Sequence, residues 1–425
     1  MNNTNESILT EKAIDAFSTF YPFIPDNNSN LFDQAFSLSS LYNSLDQCIV
    51  GTIWKESVMN YYLYRDYYLN WLHCALYSGN FNFSPLFHTK ITEHGKERLV
   101  CSLTIQDRIV QKSINQRILL PTFRNKLIYD NCASLKCRGV DFAINRLYAH
   151  MQKAYENFNS NFYIAKLDIH HYFDSISHNY ILSIIDRYIK EPRIVDLISR
   201  ILYQYRQDSW IHNGENVPFG IGLGGEIPQS FGIICLNELD HIIKEQLHIP
   251  YMVRYMDDIV LIHQDRDYLV KCLNYISEYL YTIGLILNKN KTTIVPAKEG
   301  ILFLKFHFYL GNNIREIYIK PNKKSIKNEK RKLIKMVELF KEGYIILPSD
   351  IKQSYDSWKG HIQRADSYIE QIIMDQLFEN ILTNYIIEDT IINRAIDRYK
   401  NGTKYPKRKP TRNNICTGNL DKKIS

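Results

Sequence analysis

Apolar and polar residues alternate along this chain with two different periods. A period of three to four residues, typical of amphipathic helices, marks residues 52–78, 105–121, 141–157 and 265–284. Short apolar runs of the kind that form buried strands occupy residues 161–169, 249–255, 259–263, 285–295 and 301–310. Ser177 has the position and the side chain of an N-cap for a helix over residues 178–190. The order strand, helix, hairpin, helix, strand predicts an α+β fold with an antiparallel sheet rather than a doubly wound parallel one.

The pattern changes beyond residue 320. Residues 320–341 contain nine basic and two acidic residues. Their apolar positions fall on one helical face, formed by Ile326, Leu333, Ile334, Val337 and Phe340. We expect this basic amphipathic helix to begin an all-helical region that extends to about residue 398. After Tyr399, the chain has Gly402, Pro406 and Pro410 among lysines and arginines, which predicts a flexible basic arm.

Composition narrows the functional classes. With 45% apolar residues among 425, the chain can bury sizeable cores, and its formal net charge of +7 permits a polyanionic partner without requiring one. The apolar runs are too short for a membrane span, and residues 1–6 lack the pattern of a secretory signal, so we expect a cytoplasmic protein. The eight cysteines form no C-x-x-C pair, which argues against a zinc ribbon or a redox dithiol.

The most informative polar residues are acids at the ends of apolar strands. Asp257 and Asp258 lie at the junction of two apolar runs, where a tight hairpin would project them from its tip. Adjacent carboxylates repel each other unless a cation compensates them. The pair therefore predicts a divalent metal site with oxygen ligands, and Mg²⁺ is the ion that we expect. The alternative for an isolated Asp-Asp pair is an ordinary solvated turn.

Asp168 ends a separate apolar strand. If that strand lies beside the hairpin, Asp168 and Asp257 would hold two Mg²⁺ ions, for which Mn²⁺ could substitute. Two ions roughly 3.5–4 Å apart can clamp an in-line phosphoryl displacement, because one activates the attacking hydroxyl and the other stabilises the leaving pyrophosphate. The acids therefore predict a site for nucleotidyl transfer.

These motifs resemble those of the reverse transcriptases, in particular the bacterial group related to group II intron and retron enzymes. Tyr255-Met256-Asp257-Asp258 is similar to their metal-binding hairpin, and residues 168–176 (DIHHYFDSI) are similar to their first carboxylate motif. The resemblance implies a polymerase shaped like a right hand. Its regions would be an N-terminal helical extension (1–90), fingers (91–160), a palm (161–315), a helical thumb and C-terminal region (316–398) and a basic flexible tail (399–425). It also implies metal ligands, at Asp168, Ile169, Asp257 and Asp258.

Other blocks resemble the nucleotide-binding and template-binding segments of the same family. Lys96 and Arg98 stand where the family grips the triphosphate, and a planar guanidinium suits phosphate oxygens. Lys136 and Arg138 stand in a block that meets template and nucleotide, and Gln229 stands in a glycine-rich block with the same role. The alternative for the basic positions is a set of solvated surface charges.

Phe173 occupies the family's steric gate, where a bulky ring collides with a ribose 2′-hydroxyl; the alternative is an ordinary core phenylalanine. Lys291 corresponds to a lysine that lies near the triphosphate and protonates pyrophosphate, with a solvated loop lysine as the alternative. Phe303-Leu304-Lys305-Phe306 resembles the primer grip, usually F-L-G-F. Lys305 in place of glycine leaves the geometry of that turn open.

The resemblance implies an RNA-directed DNA polymerase that binds an RNA template, its DNA product and deoxynucleoside triphosphates (dNTPs). The sequence leaves open whether the protein forms a homo-oligomer or binds a partner protein. Ile227-Pro228-Gln229 departs from the commoner form of its block, which favours the copying of a cognate noncoding RNA in antiphage defence over a retron or a diversity-generating element. Two further hypotheses are untemplated or protein-primed DNA synthesis, and an RNA-binding scaffold without catalysis. The intact Asp168, Asp257 and Asp258 disfavour the scaffold.

Overall fold

The computed structural model describes residues 30–93, 96–206, 210–212, 215–311, 317–341 and 348–386, so the predicted basic tail lies outside the described residues. The helices, in chain order, are α1 (Leu31–Phe36), α2 (Leu38–Ile49), α3 (Glu56–Leu63), α4 (Arg65–Tyr77), α5 (Ile105–Ile114), α6 (Leu120–Phe123), α7 (Val140–Phe158), α8 (Tyr172–Ser175), α9 (His178–Tyr188), α10 (Pro192–Tyr205), α11 (Glu226–Cys235), α12 (Asn237–His241), α13 (Arg266–Thr282), α14 (Lys323–Lys341), α15 (Pro348–Ile362) and α16 (Tyr368–Ile386). The strands are β1 (Phe87–Glu93), β2 (Lys96–Ser102), β3 (Tyr163–Leu167), β4 (Trp210–His212), β5 (Glu215–Val217), β6 (Tyr251–Tyr255), β7 (Asp258–His263), β8 (Thr293–Pro296), β9 (Ile301–Phe303), β10 (Phe306–Leu310) and β11 (Ile317–Pro321). None of the described helices is both long and apolar enough to cross a lipid bilayer.

A four-stranded antiparallel sheet with the order β6-β7-β3-β8 positions the site described below. Both of its faces are covered, which is why β3, β6 and β7 read as nearly continuous apolar runs. One face, with Leu167 and Ile259, packs into the largest core, to which helices α1, α2, α5, α9, α10, α11 and α13 contribute. The other face, with Ile164 and Val260, packs against α7 and the second sheet.

The second sheet has three antiparallel strands in the order β11-β10-β9. Its fully buried phenylalanines, Phe303, Phe306 and Phe308, fill the core between this sheet, α7 and the four-stranded sheet. Two separate hairpins, β1–β2 and β4–β5, complete the strands of the described residues. The shared core holds the β9–β10 turn at a fixed place relative to β3.

Helices α14, α15 and α16 form a third core of their own. Arg364, just after α15, joins it to α7 through Asp141, with Nε–Oδ1 at 2.6 Å. The predicted apolar face of α14 is confirmed at Leu333 and Val337, which are buried. The prediction is wrong at Ile334, which is exposed. The buried face of α14 includes fewer positions than the apolar residues of the sequence suggest. The side chain of Phe340 lies outside the described residues.

The predicted mixed fold with an antiparallel sheet is confirmed. Ser177 accepts a hydrogen bond from the backbone N–H of Tyr180 at 3.4 Å and caps α9 as predicted. The helix over 52–78 is instead two helices that break at Tyr64, and the strand over 301–310 is two strands. The strand over 285–295 is wrong for its first eight residues. Leu285 is buried there in a loop, and a buried loop residue gives the same apolar signal as a strand residue.

Candidate active site

Three aspartates lie at one edge of the four-stranded sheet. Asp168 follows the last residue of β3, and Asp258 begins β7 directly after Asp257, which belongs to the hairpin turn. In the β3–β7 ladder Leu167 pairs with Ile259, so the next position in register sets Asp168 opposite Asp258. The predicted side-by-side arrangement of these two elements is confirmed.

The turn between β6 and β7 has a strained residue at its first position. Met256 adopts a φ of 56°, in the left-handed region, which costs an ordinary L-residue roughly 1–2 kcal/mol. The carbonyl of Met256 accepts a hydrogen bond from Nη1 of Arg254 at 3.2 Å. Arg254 is in turn fixed by Asp240, through Nε–Oδ1 at 2.7 Å and Nη2–Oδ2 at 2.7 Å. A buried ion pair therefore supports the turn that carries Asp257.

Burial and like charge both act on the hairpin acids. Burial raises the pKa of Asp257 to about 6, and the negative charges of Asp258 and Asp168 add to that rise. Burial also raises the pKa of Asp258, and the ammonium of Lys166 offsets part of this effect. Because Asp168 contributes to both rises, the three carboxylates share one electrostatic environment that favours a cation.

Asp168 is held by the loop between α13 and β8. Nζ of Lys291 donates to both carboxylate oxygens of Asp168, at 3.0 and 2.8 Å, and the side-chain amide of Asn288 donates to Oδ2 at 2.9 Å. The backbones are paired as well, since the N–H of Asn288 donates to the carbonyl of Asp168 at 2.8 Å. The predicted catalytic lysine is thus in direct contact with a predicted metal ligand.

The donor set at this edge suits a hard divalent cation. Carboxylate oxygens are the ligands that Mg²⁺ prefers, and buried acids that repel each other gain most from such an ion. Among the described residues, however, no three acidic, histidine or cysteine side chains are already arranged around one metal position. Lys291 contacts both oxygens of Asp168, so an ion that bound there would displace its ammonium. Ile169, the predicted backbone ligand, is buried beside Asp168.

Phe173 packs between α11 and the hairpin turn. A Cβ added at Gly232 of α11 would lie 3.3 Å from Cζ of Phe173 and 3.6 Å from Sδ of Met256, so the three residues are close neighbours. The hydroxyl of Tyr172, which is buried, donates to the carbonyl of Gly232 at 2.6 Å and fixes this arrangement. Phe173 itself is half-buried beside the hairpin.

The glycine-rich block before α11 approaches β2 closely. Gly224 has a φ of 119°, and a Cβ there would lie 2.2 Å from the carbonyl oxygen of Cys101, so only glycine fits. The N–H of Cys101 donates to the carbonyl of Leu223 at 2.7 Å. Further along, Oε1 of Gln229 accepts a hydrogen bond from the hydroxyl of Ser134 at 3.2 Å. The block thus links α11 to β2 and to the segment around Ser134.

The predicted basic residues fall into two groups. Arg98 on β2 and Lys136 are exposed, while the side chain of Lys96 lies outside the described residues. Arg138 is half-buried, and its Nη1 donates to the carbonyls of Asn131 at 2.7 Å and Ile128 at 3.2 Å. These contacts favour a structural role for Arg138, whereas Arg98 and Lys136 present their side chains at the surface.

The predicted primer-grip segment forms the two-residue turn between β9 and β10. Leu304 and Lys305 both have positive φ values, 49° and 72°, as a type I′ hairpin requires. Phe303 and Phe306 flank the turn as a cross-strand pair, and both are fully buried. The lysine that replaces the usual glycine therefore still makes the tight turn, at the cost of left-handed backbone strain.

Sequence reasoning missed three side chains of this site. Arg254 is a charged residue inside an apolar strand, and that pattern is the signal for a buried, paired charge. Lys166 has the same signal in β3, two positions before Asp168, and it contacts Asp258. Asn288 gave no usable signal, because its contact with Asp168 depends on how a loop folds back onto the sheet.

Comparison with known proteins identifies the family of this chain. The reverse transcriptase (RNA-dependent DNA polymerase) family profile matches residues 89–308, just over half of the chain. A COX1/OXI3 intron 2 protein of Saccharomyces cerevisiae is 25% identical over 297 residues, which covers 56% of this chain and 34% of that protein, so the chain spans about one third of that relative's length.

Two solved structures resemble the chain distantly. Telomerase from Candida albicans in complex with a TWJ fragment of telomeric RNA has a TM-score of 0.42 at 13% identity, with 77% of this chain and 62% of that chain covered. Apo telomerase from Candida tropicalis has a TM-score of 0.41 at 14% identity, with 54% and 47% covered.

Proposed function

This chain belongs to the reverse transcriptase (RNA-dependent DNA polymerase) family, and we propose on that basis that it is an enzyme that copies an RNA template into DNA. The reaction joins the 3′-oxygen of a primer to the α-phosphorus of a dNTP and releases pyrophosphate. The observation that carries the proposal is the register of β3 against the β6–β7 hairpin, which brings Asp168, Asp257 and Asp258 to one edge of the sheet.

We assign the metal ligands to Asp168, Asp257 and Asp258, with the carbonyl of Ile169 beside them. Two bound Mg²⁺ ions, or Mn²⁺ in their place, would activate the primer hydroxyl and stabilise the pyrophosphate that leaves. The raised pKa of Asp257 supports this assignment, because buried acids that repel each other gain from a divalent counter-charge.

Lys291 is the proposed general acid. Its Nζ lies 2.8 Å from Oδ2 of Asp168, so this half-exposed side chain already contacts a proposed metal ligand. A cation bound at Asp168 would neutralise its carboxylate in place of the Lys291 ammonium. The ammonium would then be available to protonate the leaving pyrophosphate. Asn288, whose N–H donates to the carbonyl of Asp168 directly after β3, would keep the loop of Lys291 in place during this exchange.

The incoming nucleotide would lie beside Phe173, between α11 and the hairpin. The ring of Phe173 lies close to Gly232 of α11, and in this position it would collide with a ribose 2′-hydroxyl and favour deoxynucleotides. Arg98, Lys96 and Lys136 are the proposed contacts to the triphosphate and template, and Gln229 on α11 is the proposed contact beside the nucleotide.

We propose that the duplex of template and product runs from the β9–β10 turn to α14. The Phe303–Phe306 segment would hold the primer end, and α14 exposes a row of cations: Lys323, Lys324, Lys327, Lys330, Arg331 and Lys335. Cations that neutralise phosphates make binding weaken as salt rises. This arrangement corresponds to fingers at 91–160, a palm at 161–315 and a helical thumb at 316–398, with residues 1–90 and 399–425 as extensions.

For the biological setting we propose a bacterial enzyme of antiphage defence that copies a cognate noncoding RNA. The support is the sequence of the glycine-rich block, in which Ile227-Pro228-Gln229 departs from the commoner form in mobile elements. Gly224 keeps the block close to β2, and Gly225 keeps it close to Tyr205 and Gln111, in spite of that departure.

The test uses the purified protein with the RNA that co-purifies with it. Labelled dNTPs and Mg²⁺ are added, and the product is sequenced. Complementary DNA supports the proposal, and homopolymeric or random DNA would replace it with untemplated synthesis. Asp257→Asn is the matched inactive variant, with Asp267→Asn, an exposed acid of α13, as the control that keeps activity. If the wild-type protein binds RNA but makes no DNA, the remaining hypothesis is an RNA-binding scaffold without catalysis.

A further inference from the structure

Lys166 connects the hairpin acids to a second part of the site. It lies in β3, two residues before Asp168, so both side chains stand on the same face of the sheet. Its Nζ lies 3.2 Å from Oδ1 of Asp258 and donates to the carbonyl oxygen of Leu302 at 3.0 Å. The side chains of Lys166 and Asp258 are 20% and 25% exposed, so the contact is largely shielded from water.

The pairing of the strands explains why Lys166 reaches Asp258. Lys166 pairs with Val260, and Asp258 lies two residues before Val260 on the same strand, so Lys166 and Asp258 form a diagonal cross-strand pair. The second contact of Lys166, to the carbonyl of Leu302, is with another hairpin. Leu302 belongs to β9 and directly precedes Phe303, the first residue of the proposed primer grip. One ammonium thus bridges the β6–β7 hairpin and the β9–β10 hairpin.

We propose that Lys166 is a positioning residue that sets the distance between Asp258 and the β9–β10 turn, and thereby places the primer 3′-hydroxyl relative to the metal ligands. The inference rests on the proposed function and goes beyond it. A purely stabilising role explains the contacts of Lys166 less well, because the buried Phe303, Phe306 and Phe308 already anchor the β9–β10 hairpin. A contact that fixes two hairpins relative to each other matters most to a reaction that joins groups held by each of them.

The experiment compares Lys166→Met, Lys166→Arg and the control Lys153→Met, which removes an exposed lysine of α7. Primer extension is measured with primer–template and dNTP varied separately. For Lys166→Met we expect a loss of roughly 10- to 100-fold in kcat, because a small misplacement of reacting groups costs about that much. We also expect a KM for dNTP within about twofold of wild type, and partial rescue by Lys166→Arg, which keeps the charge.

Two measurements that do not depend on turnover accompany the kinetics. A fluorescent base analogue at the primer 3′ end reports its environment in EDTA, and we expect it to change in Lys166→Met but not in Lys153→Met. Thermal denaturation shows whether each variant folds, and Lys166→Gln replaces Lys166→Met if the latter does not. Wild-type kinetics and an unchanged 3′-end signal in a folded Lys166→Met or Lys166→Gln would overturn the inference alone. A wild-type protein that extends no primer would overturn the proposed function and this inference with it.

Discussion

Arg254 and Asp240 form a bidentate ion pair whose side chains are both 0% exposed. Arg254 also donates to the carbonyls of Ile233 and Met256, at 2.9 and 3.2 Å, so the pair joins α11, α12 and the turn that carries Asp257. Removing one partner leaves the other charge buried without compensation. Arg254→Met should therefore lower the free energy of unfolding by roughly 3–5 kcal/mol, measured by urea denaturation.

The matched control for that prediction is the double variant Arg254→Met with Asp240→Asn. It removes both charges, so it should cost clearly less than the sum of the two single substitutions. Additive costs would mean that the two residues contribute independently and that the pair is not the unit that supports the turn.

Removing an acid of the hairpin should separate activity from stability. Burial raises the pKa of Asp257, with the charges of Asp258 and Asp168 adding to the effect, so the ionised form is unfavourable in the metal-free protein. At neutral pH without divalent ions, Asp257→Asn should raise the free energy of unfolding by about 1–2 kcal/mol. DNA synthesis should fall below detection. Destabilisation of the metal-free protein by this variant would show that Asp257 is a structural residue.

The acid Asp130 should govern stability at low pH. Burial alone would raise its pKa, but hydrogen bonds from His150, Arg146 and Lys244 outweigh burial and lower the pKa well below its ordinary value. The carboxylate therefore contributes stability above the unfolded-state pKa of about 4. That contribution is lost as the pH falls from about 4 through the lower folded-state pKa.

Asp130→Asn tests this prediction. At pH 7 it should cost roughly 1.5–3 kcal/mol in urea denaturation, since hydrogen bonds to a charged group are lost, and the difference from wild type should shrink as the pH falls below 4. A constant difference between pH 7 and pH 3 would assign the effect to shape or packing rather than to the charge of Asp130.

The β9–β10 turn offers a stabilising substitution. Lys305 has a φ of 72°, which glycine adopts without strain, so Lys305→Gly should raise the free energy of unfolding by roughly 0.5–1 kcal/mol. Lys298→Gly is the matched control, because Lys298 is an exposed lysine in the preceding turn that is not among the residues with positive φ. It should be neutral or destabilising. Equal effects of the two substitutions would contradict the strain at Lys305.

Sugar selectivity should depend on how Phe173 is packed. Gly232→Ala would place a Cβ 3.3 Å from the ring and shift Phe173 by a few tenths of an ångström, whereas Gly360→Ala meets nothing within 4 Å and is the control. We expect Phe173→Ala to raise ribonucleotide incorporation at least tenfold in primer extension, and Gly232→Ala to change it by a smaller amount. Selectivity that stays at the wild-type value in folded Phe173→Ala protein would exclude the steric gate.

The strands that carry Asp168, Asp257 and Asp258 could be predicted from the sequence, because apolar runs that end in an acid have few interpretations. The partners of those acids could not. A charge inside an apolar strand indicates that Arg254 and Lys166 are paired, but it does not identify Asp240 or Asp258 as the partner. Asn288 contacts Asp168 from a loop 120 residues away, and single-sequence periodicity carries no information about such a contact. The β1–β2 hairpin also escaped prediction, because Cys101 is the one buried side chain among those that the structure describes in these two strands, which is too few to impose an alternating pattern.

The ladder between β3 and β7 has a consequence for how such a chain can diverge. A single inserted or deleted residue in either strand would turn Asp168 or Asp258 to the opposite side of the sheet, because successive side chains alternate. Helices and loops around the sheet can change their length and composition gradually, but these two strands tolerate exchange of residues only at constant length. We therefore expect relatives of this chain to carry no insertions between residue 163 and Asp168, or between Asp258 and residue 263.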